Sequence, residues 1–258
     1  MLKKLKYFIS VLFLGQKHTR PKNKLRPAIK NQCFNVKRIW HNKHYNDFGI
    51  ERLVRLILAL LQFIFPGLYI RSAFGKLGLL GRKLGVEFYV IIKLILPIIF
   101  FKFDLTNNII VVIIASYMAI ETIIYLATLI FLSNEFAQPI SYRRSLLTLF
   151  INYLEICFDY AVIYSYCNLT IPGFFNEKLT TDLQTVYFSF VTSATVGYGE
   201  IVVKTALGQY LVISQIILFL MFIGLFINFF TSKIQDQTYY NAKPTYSDKF
   251  HKQNDKTK

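Results

Sequence analysis

Residues 181–200 read TDLQTVYFSFVTSATVGYGE, and long apolar segments flank them at 146–168 and 208–231. The run 182–193 is suited to a short helix, with Thr181 or Asp182 as its N-terminal cap. Such a helix is too short to cross a bilayer, which takes about twenty residues. It leads directly into an irregular, glycine-bearing strand, and irregular backbone at membrane depth is tolerated only beside a watery cavity or inside protein. The pattern predicts a segment that enters the membrane and leaves on the same side.

The five residues after this helix favour a row of backbone oxygens. Gly197 and Gly199 tolerate positive φ, so the chain can alternate in conformation and turn its carbonyls to one side. Stacked rings of such oxygens, from several copies of the chain, can replace the hydration shell of a cation. Thr195 adds a hydroxyl at the inner end, while Val196 and Tyr198 are expected to point away and pack against the short helix. The negative end of that helix dipole also favours a cation.

On these residues the segment 146–231 resembles the pore domain of the potassium channel family: outer helix, pore helix, TVGYG filter and inner helix. The resemblance implies passive, potassium-selective conduction through a homotetramer, with no cofactor beyond the potassium ions in the filter. It also implies that the ions are held by the carbonyls of four residues and by the first hydroxyl. The expected potassium selectivity filter comprises Thr195, Val196, Gly197, Tyr198 and Gly199.

Three positions depart from the usual family pattern. Glu200 follows the filter where Asp is common, Ala194 replaces a threonine, and Val191 stands where some members carry a glutamate. A carboxyl pair behind the filter is therefore impossible here. We expect the Glu200 carboxylate to accept a hydrogen bond from the Tyr187 hydroxyl instead.

The remainder of the chain indicates a basic membrane protein. Of its 258 residues 54% are hydrophobic, the net charge is +16, and the first 50 residues hold 12 Lys and Arg against one acid, Asp47. Beside membrane spans such a basic block indicates retention on the cytoplasmic side rather than nucleic-acid binding. Residues 1–15 are expected to lie at the interface, and residues 16–50 to lack regular structure.

Five apolar segments are long enough to consider as spans: 52–70, 86–103, 109–133, 146–168 and 208–231. The basic loops before 86 and before 146 are expected to be cytoplasmic. Five crossings do not fit these loops and a cytoplasmic N-terminus, so we expect 52–70, interrupted by Pro66, not to cross.

We therefore predict an all-α cell-membrane protein with four transmembrane helices, a re-entrant pore helix and filter, a tetrameric pore, lipid contacts and both termini in the cytoplasm. The predicted regions are a basic cytoplasmic N-terminus with an interfacial segment (1–50), an interfacial or re-entrant helix with a basic loop (51–85), a transmembrane hairpin (86–133), the pore domain (146–231) and a short cytoplasmic tail (232–258).

Four ionisable side chains fall inside the apolar segments: Lys93, Glu121, Glu155 and Asp159. Such groups are usually buried between helices and paired. Glu155 and Asp159 share a helical face, and Lys93 is a candidate partner of Glu121. Structural pairing is favoured, and a regulatory proton or ion site is the alternative. No segment carries an arginine at every third position, so no voltage sensor is predicted.

Some alternatives stay open at this point. Gly224 suits either a gating hinge or close helix packing, and Phe226, Phe229 and Phe230 either narrow the inner mouth or face lipid. A weakly selective cation channel and an ion-transporter subunit are the competing functions. The intact filter string argues against the first, and a single pore loop in one chain against the second. No nucleophile–base pair, metal triad or phosphate loop indicates an enzyme.

Overall fold

Long helices dominate the chain, as expected where no water is available to bond free backbone groups. The computed structural model describes residues 27–41, 49–132 and 142–235. The helices are α1 (Ala28–His41), α2 (Gly49–Leu61), α3 (Pro66–Gly75), α4 (Gly78–Lys102), a 3-10 turn (Leu105–Asn107), α5 (Ile109–Phe131), α6 (Tyr142–Thr170), α7 (Asp182–Ser193) and α8 (Ala206–Gln235). The described residues form no strand beyond one isolated bridge, which confirms the all-α fold.

Four of the described helices contain stretches long and apolar enough to cross a membrane: Gly81–Lys102, Ile109–Phe131, Arg144–Thr170 and Ala206–Ile227. They coincide with four of the predicted segments, so the prediction of four transmembrane helices is confirmed. The tight loop between α4 and α5 has local causes. Asp104 adopts a left-handed conformation with φ 52°, and the Asn108 side chain caps α5 by accepting a hydrogen bond from the Ile110 amide at 2.9 Å.

Pro66 divides the remaining apolar segment into α2 and α3, whose axes bend by 65°. Proline disfavours helical backbone in the residue before it, and Phe65 is extended with ψ 143°. Pro66 itself begins α3, where its missing amide hydrogen costs no helical bond. By length and composition the bent pair is a broken span or a re-entrant loop. That 51–85 does not cross therefore stays a prediction.

Helix α1 corrects the expectation that residues 16–50 lack regular structure. Its buried residues recur every three or four positions and so form one face: Ala28, Gln32, Asn35 and Ile39. The Gln32 amide donates a hydrogen bond to the Ala59 carbonyl in α2 at 2.9 Å. Two of the four buried positions are polar, so the apolar periodicity that normally indicates a helix is weak. The interfacial segment predicted at residues 1–15 lies outside the described residues.

Helix α6 is shared between two halves of the molecule, since it packs against α4 and α5 and also against α7 and α8. On the α7 side an aromatic group fixes the packing. The rings of Tyr164 and Phe188 meet edge to face with centroids 5.0 Å apart, and Phe175 meets Phe188 in the same way at 5.0 Å. Each such pair adds about 0.5–1.5 kcal/mol beyond the burial of its surface.

A series of hydrogen bonds joins α6, α7 and α8. The Tyr164 hydroxyl donates to Gln215 Oε1 at 2.9 Å. Gln215 Nε2 donates to the Ser189 carbonyl at 2.9 Å and to Ser189 Oγ at 2.8 Å. Ser189 Oγ in turn donates to the Cys157 carbonyl at 2.7 Å. Because all four residues are buried, these bonds satisfy polar groups that would otherwise be isolated in an apolar environment.

We expect Gln215→Leu to lower the free energy of unfolding by about 1–3 kcal/mol, because it leaves the buried Tyr164 hydroxyl without an acceptor and removes both bonds to Ser189. Thermal or denaturant unfolding in detergent measures this change. Gln209→Leu is the matched control, since Gln209 is exposed on the same helix. Equal effects of the two substitutions would contradict a structural role for these bonds.

Candidate functional site

The short helix α7 begins and ends where the sequence predicts, at Asp182 and Ser193. Its first turn is capped by Gln184, whose Oε1 accepts hydrogen bonds from the amides of Thr180 at 2.8 Å and Thr181 at 3.1 Å. These amides would otherwise lack a partner at the helix start. The aromatic contacts of Phe188 then fix α7 against α6. The helix is therefore held in place at its start and along its length.

Residues 195–199, which we call the strand 195–199 although they pair in no β-sheet, follow α7 and alternate in backbone conformation. Thr195 has φ 54°, Gly197 has φ 55° and Gly199 has φ 87°, whereas Val196 and Tyr198 keep the ordinary negative sign. Left-handed and ordinary residues in alternation turn successive carbonyls to the same side. Positive φ at the two glycines was expected, but at Thr195 it was not, because it is uncommon outside glycine. Two hydrogen bonds to the end of α7 hold this conformation: the Thr195 amide to the Thr192 carbonyl at 3.0 Å and the Val196 amide to the Val191 carbonyl at 3.0 Å.

The strand is exposed in the single chain. Val196 is 50% and Tyr198 69% exposed, so α7 of the same chain covers neither completely. The expected packing of these two side chains against the short helix thus leaves a large apolar and aromatic surface uncovered. Burying this surface requires another molecule, either lipid or further copies of the chain.

The expected bond between Tyr187 and Glu200 is present: the Tyr187 hydroxyl donates to the Glu200 carboxylate. This bond, reinforced by desolvation and by the carboxylate charge, raises the pKa of Tyr187 to about 12. The hydroxyl therefore stays protonated, and remains a donor, at any physiological pH. The bond connects the middle of α7 to the residue directly after the glycine-bearing strand.

Asn176 also holds the end of this strand, and the sequence analysis did not identify it. Its side chain donates to the Glu200 carbonyl at 2.9 Å and accepts from the Val202 amide at 3.0 Å. Its amide donates to the Val202 carbonyl at 2.8 Å. The signal was weak, since one asparagine in a loop between helices has no periodicity or motif around it. Asn176 thus positions residues 200–202 from the loop that precedes α7.

Helix α8 starts in close contact with this loop. A Cβ at Gly208 would lie 2.8 Å from the Val203 Cβ and 3.1 Å from the ring of Phe174, so only glycine fits without movement. At Gly224 nothing lies within 4 Å of a Cβ position, and close packing inside one chain is therefore not its role. Phe226 is half-buried against the core, while the side chains of Phe229 and Phe230 lie outside the described ones.

Comparison with known families identifies the part of the chain that contains this site. Residues 148–236 match a family model described as "Ion channel". They are an ion channel domain. The match covers α7, α8 and all of α6 except its start, residues 142–147, and it confirms the predicted resemblance to a channel pore domain. No curated protein matches the chain, and neither does any solved structure.

Within the ion channel domain we expect Tyr187→Phe to weaken the support of the strand 195–199. Ion flux into liposomes under a constant gradient should then decay several-fold faster than in the wild type, because Glu200 loses its hydroxyl partner. Tyr166→Phe provides the control, since it removes the same hydroxyl group from a half-buried tyrosine on α6. If Tyr187→Phe decays at the wild-type rate, the bond has no role in supporting the strand.

Proposed function

We propose that this protein is a potassium-selective channel subunit and that four copies form a pore that conducts potassium passively. The observation that carries the proposal is the alternation of φ at Thr195, Gly197 and Gly199 within the string TVGYG. Carbonyls turned to one side, repeated in several copies about an axis, give the stacked oxygen rings that replace the hydration shell of potassium. The ligands are the carbonyls of residues 195–198 and the Thr195 hydroxyl, with Gly199 completing the filter.

The charge environment supports a cation at this place. The C-terminal end of α7 lies directly before Thr195, and the partial negative charge of a helix C-terminus favours a positive ion. Glu200 adds a carboxylate at the opposite end of the filter. No cofactor is needed, because selection by oxygen rings uses only oxygen atoms of the protein itself.

A homotetramer follows from the number of filters. One chain carries one filter strand, and closed rings of oxygens need four in cyclic symmetry. The uncovered surface of Val196 and Tyr198 is consistent with neighbours on either side. Helix α8 adds a stripe of exposed apolar side chains spaced by three or four residues, the spacing of a helix–helix seam: Leu207, Tyr210, Ile213, Ile217, Leu220, Ile223 and Ile227.

The basic loops support an orientation with both termini in the cytoplasm. Arg71 and Lys76 precede the span of α4, Arg82 lies at its start, and Arg144 begins that of α6. Since such loops remain on the cytoplasmic side, α4 and α6 run outward and α5 and α8 return. The filter then opens outward at Glu200, and the protein resides in the cell membrane in contact with lipid.

Potassium flux through the purified protein in liposomes, with a matched sodium gradient and barium as blocker, tests the proposal. Barium-sensitive flux that strongly prefers potassium is the expected result. Equal sodium flux would instead support the weakly selective channel and point to Ala194 and Glu200. A particle mass of one chain in detergent, in place of four, would support the transporter subunit.

We expect Gly197→Ala to reduce potassium flux at least tenfold while the tetramer still assembles. A Cβ at φ 55° costs about 1–2 kcal/mol and turns the neighbouring carbonyls away from the row. Gly173→Ala is the matched control, because Gly173 also has positive φ, 69°, and also has nothing within 4 Å of its Cβ position. The control should conduct normally. Parallel loss in both variants would show that backbone strain in general, and not the filter, is responsible.

A further inference from the structure

Between the hairpin α4–α5 and helix α6 lies a group of four ionisable side chains that the filter does not use. Lys93 is 4% exposed, Glu121 7%, and Glu155 and Asp159 0%. All four belong to candidate membrane spans. We refer to them as the intramembrane cluster. It contains one ammonium group and three carboxyl groups.

Lys93 is the centre of the cluster. Its ammonium lies 2.9 Å from Glu155 Oε1 and 3.6 Å from Glu121 Oε2. It also donates to the Met118 carbonyl at 3.3 Å and to Thr122 Oγ1. The predicted pairing of Lys93 with Glu121 is present, but the closer partner is Glu155, which the sequence analysis placed on α6 without a cation.

Glu155 and Glu121 each have further donors. Thr122 Oγ1 donates to Glu155 Oε2 at 2.8 Å. The Tyr89 hydroxyl donates to Glu121 Oε2 at 2.5 Å, and the Gly67 amide at the start of α3 donates to Glu121 Oε1 at 3.2 Å. Each oxygen of both groups therefore has a donor, as a carboxylate requires, and two carboxylates with Lys93 leave an excess of one negative charge.

Asp159 differs from both. Within the described part of the chain neither of its carboxyl oxygens has a hydrogen-bond partner. The Glu155 carboxyl lies one helical turn earlier on the same face of α6. Two ionised carboxylates cannot bond to each other, and an ionised group with no donor is very unfavourable away from water. A proton on Asp159 removes its charge and supplies the missing donor.

The geometry points to a proton-binding site within the membrane: Asp159 holds a proton taken from solvent and donates it as a hydrogen bond to Glu155. When the pH rises the proton returns to solvent, and Asp159 becomes a second anion one turn from Glu155. The repulsion then acts on the Lys93–Glu155 contact, which joins the hairpin to α6. Docking of the hairpin is therefore strongest with the proton bound and weakens as the pH rises.

The charged and titratable groups around Asp159 are consistent with docking that weakens as the pH rises. Facing the cluster are Lys93 and Tyr89 from α4, Glu121 from α5 and Glu155 from α6 itself. On α6 Cys157 is two residues from both Glu155 and Asp159, so it faces the other way. There it meets Ser193 and Ser189 of α7, which carry no charge. Among the described residues Lys93 is thus the cation that pairs with this cluster, and it contacts Glu121 and Glu155 but not Asp159.

Water can approach the cluster from one side. A cavity of about 70 Å³ is lined by Lys93, Glu121, Thr122 and Asn152, and also by Gly67 and Arg71. It is large enough for more than one water molecule. A metal ion is a poorer occupant than a proton, since among the described residues no three His, Cys, Asp or Glu side chains converge as ligands.

Infrared spectroscopy of the purified full chain tests the site without using conduction. The wild type at neutral pH should show the carbonyl absorption of a protonated carboxyl group, and Asp159→Asn should lose it. Asp182→Asn, the same change at a half-buried aspartate on α7, should retain it. No such absorption in the wild type, or an undiminished one in Asp159→Asn, would overturn the proposal. If Asp159→Asn does not fold, the presence or absence of this absorption in the wild type decides.

The pH dependence of stability gives a second readout. The thermal midpoint of the wild type should fall as the pH rises through proton release, and that of Asp159→Asn should not, because asparagine stays neutral and keeps a donor toward Glu155. Asp182→Asn should follow the wild type. If Asp159→Asn shows the wild-type pH dependence, Asp159 is not the proton site. Because neither measurement involves ion flux, failure of this proposal is distinguishable from failure of the proposed potassium channel.

Discussion

The absence of water from the bilayer interior is the constraint on which the rest of this structure depends. Each buried amide, carbonyl and hydroxyl must find a partner within the protein. Helices meet this requirement for their own backbone, but the strand 195–199 cannot. It is therefore supported from outside, by the end of α7 through Val191 and Thr192 and by Asn176 beyond its far end. The bonds between Gln215 and Ser189 meet the same requirement between helices.

Much of this arrangement was predictable, because the length of an apolar segment and the residues of a turn determine structure within a short stretch of sequence. The four spans, the bounds of α7 and the bond from Tyr187 to Glu200 follow from hydropathy, helix length and the resemblance of the string TVGYG. Features that depend on distant partners were not predictable. Helix α1 buries polar Gln32 against a carbonyl of α2, and Asn176 bonds to residues 24 and 26 positions away. Neither contact leaves a periodic pattern in the sequence.

The charged groups illustrate the same limit. Glu155 and Asp159 could be placed on one face of α6 from their spacing alone. Which of them forms an ion pair with Lys93, however, depends on the register of α4 against α6. In the structure Lys93 contacts Glu155 at 2.9 Å, while neither oxygen of Asp159 has a partner among the described residues. Two acidic residues of nearly equal chemistry thus occupy different environments one turn apart.

The contacts with the hairpin and the contacts with the pore domain lie on opposite faces of helix α6. Glu155 and Asp159 face the hairpin, and Cys157 between them contacts Ser193 at the end of α7, two residues before Thr195. A rigid helix transmits a displacement on one face to the other, since its backbone bonds do not stretch appreciably. Any change in the docking of the hairpin must therefore be absorbed by α6 or passed to the start of the strand 195–199. The hairpin is in this sense a second support of the pore domain, and its buried polar contacts with α6 meet at one side chain, Glu155, which Lys93 and Thr122 both contact.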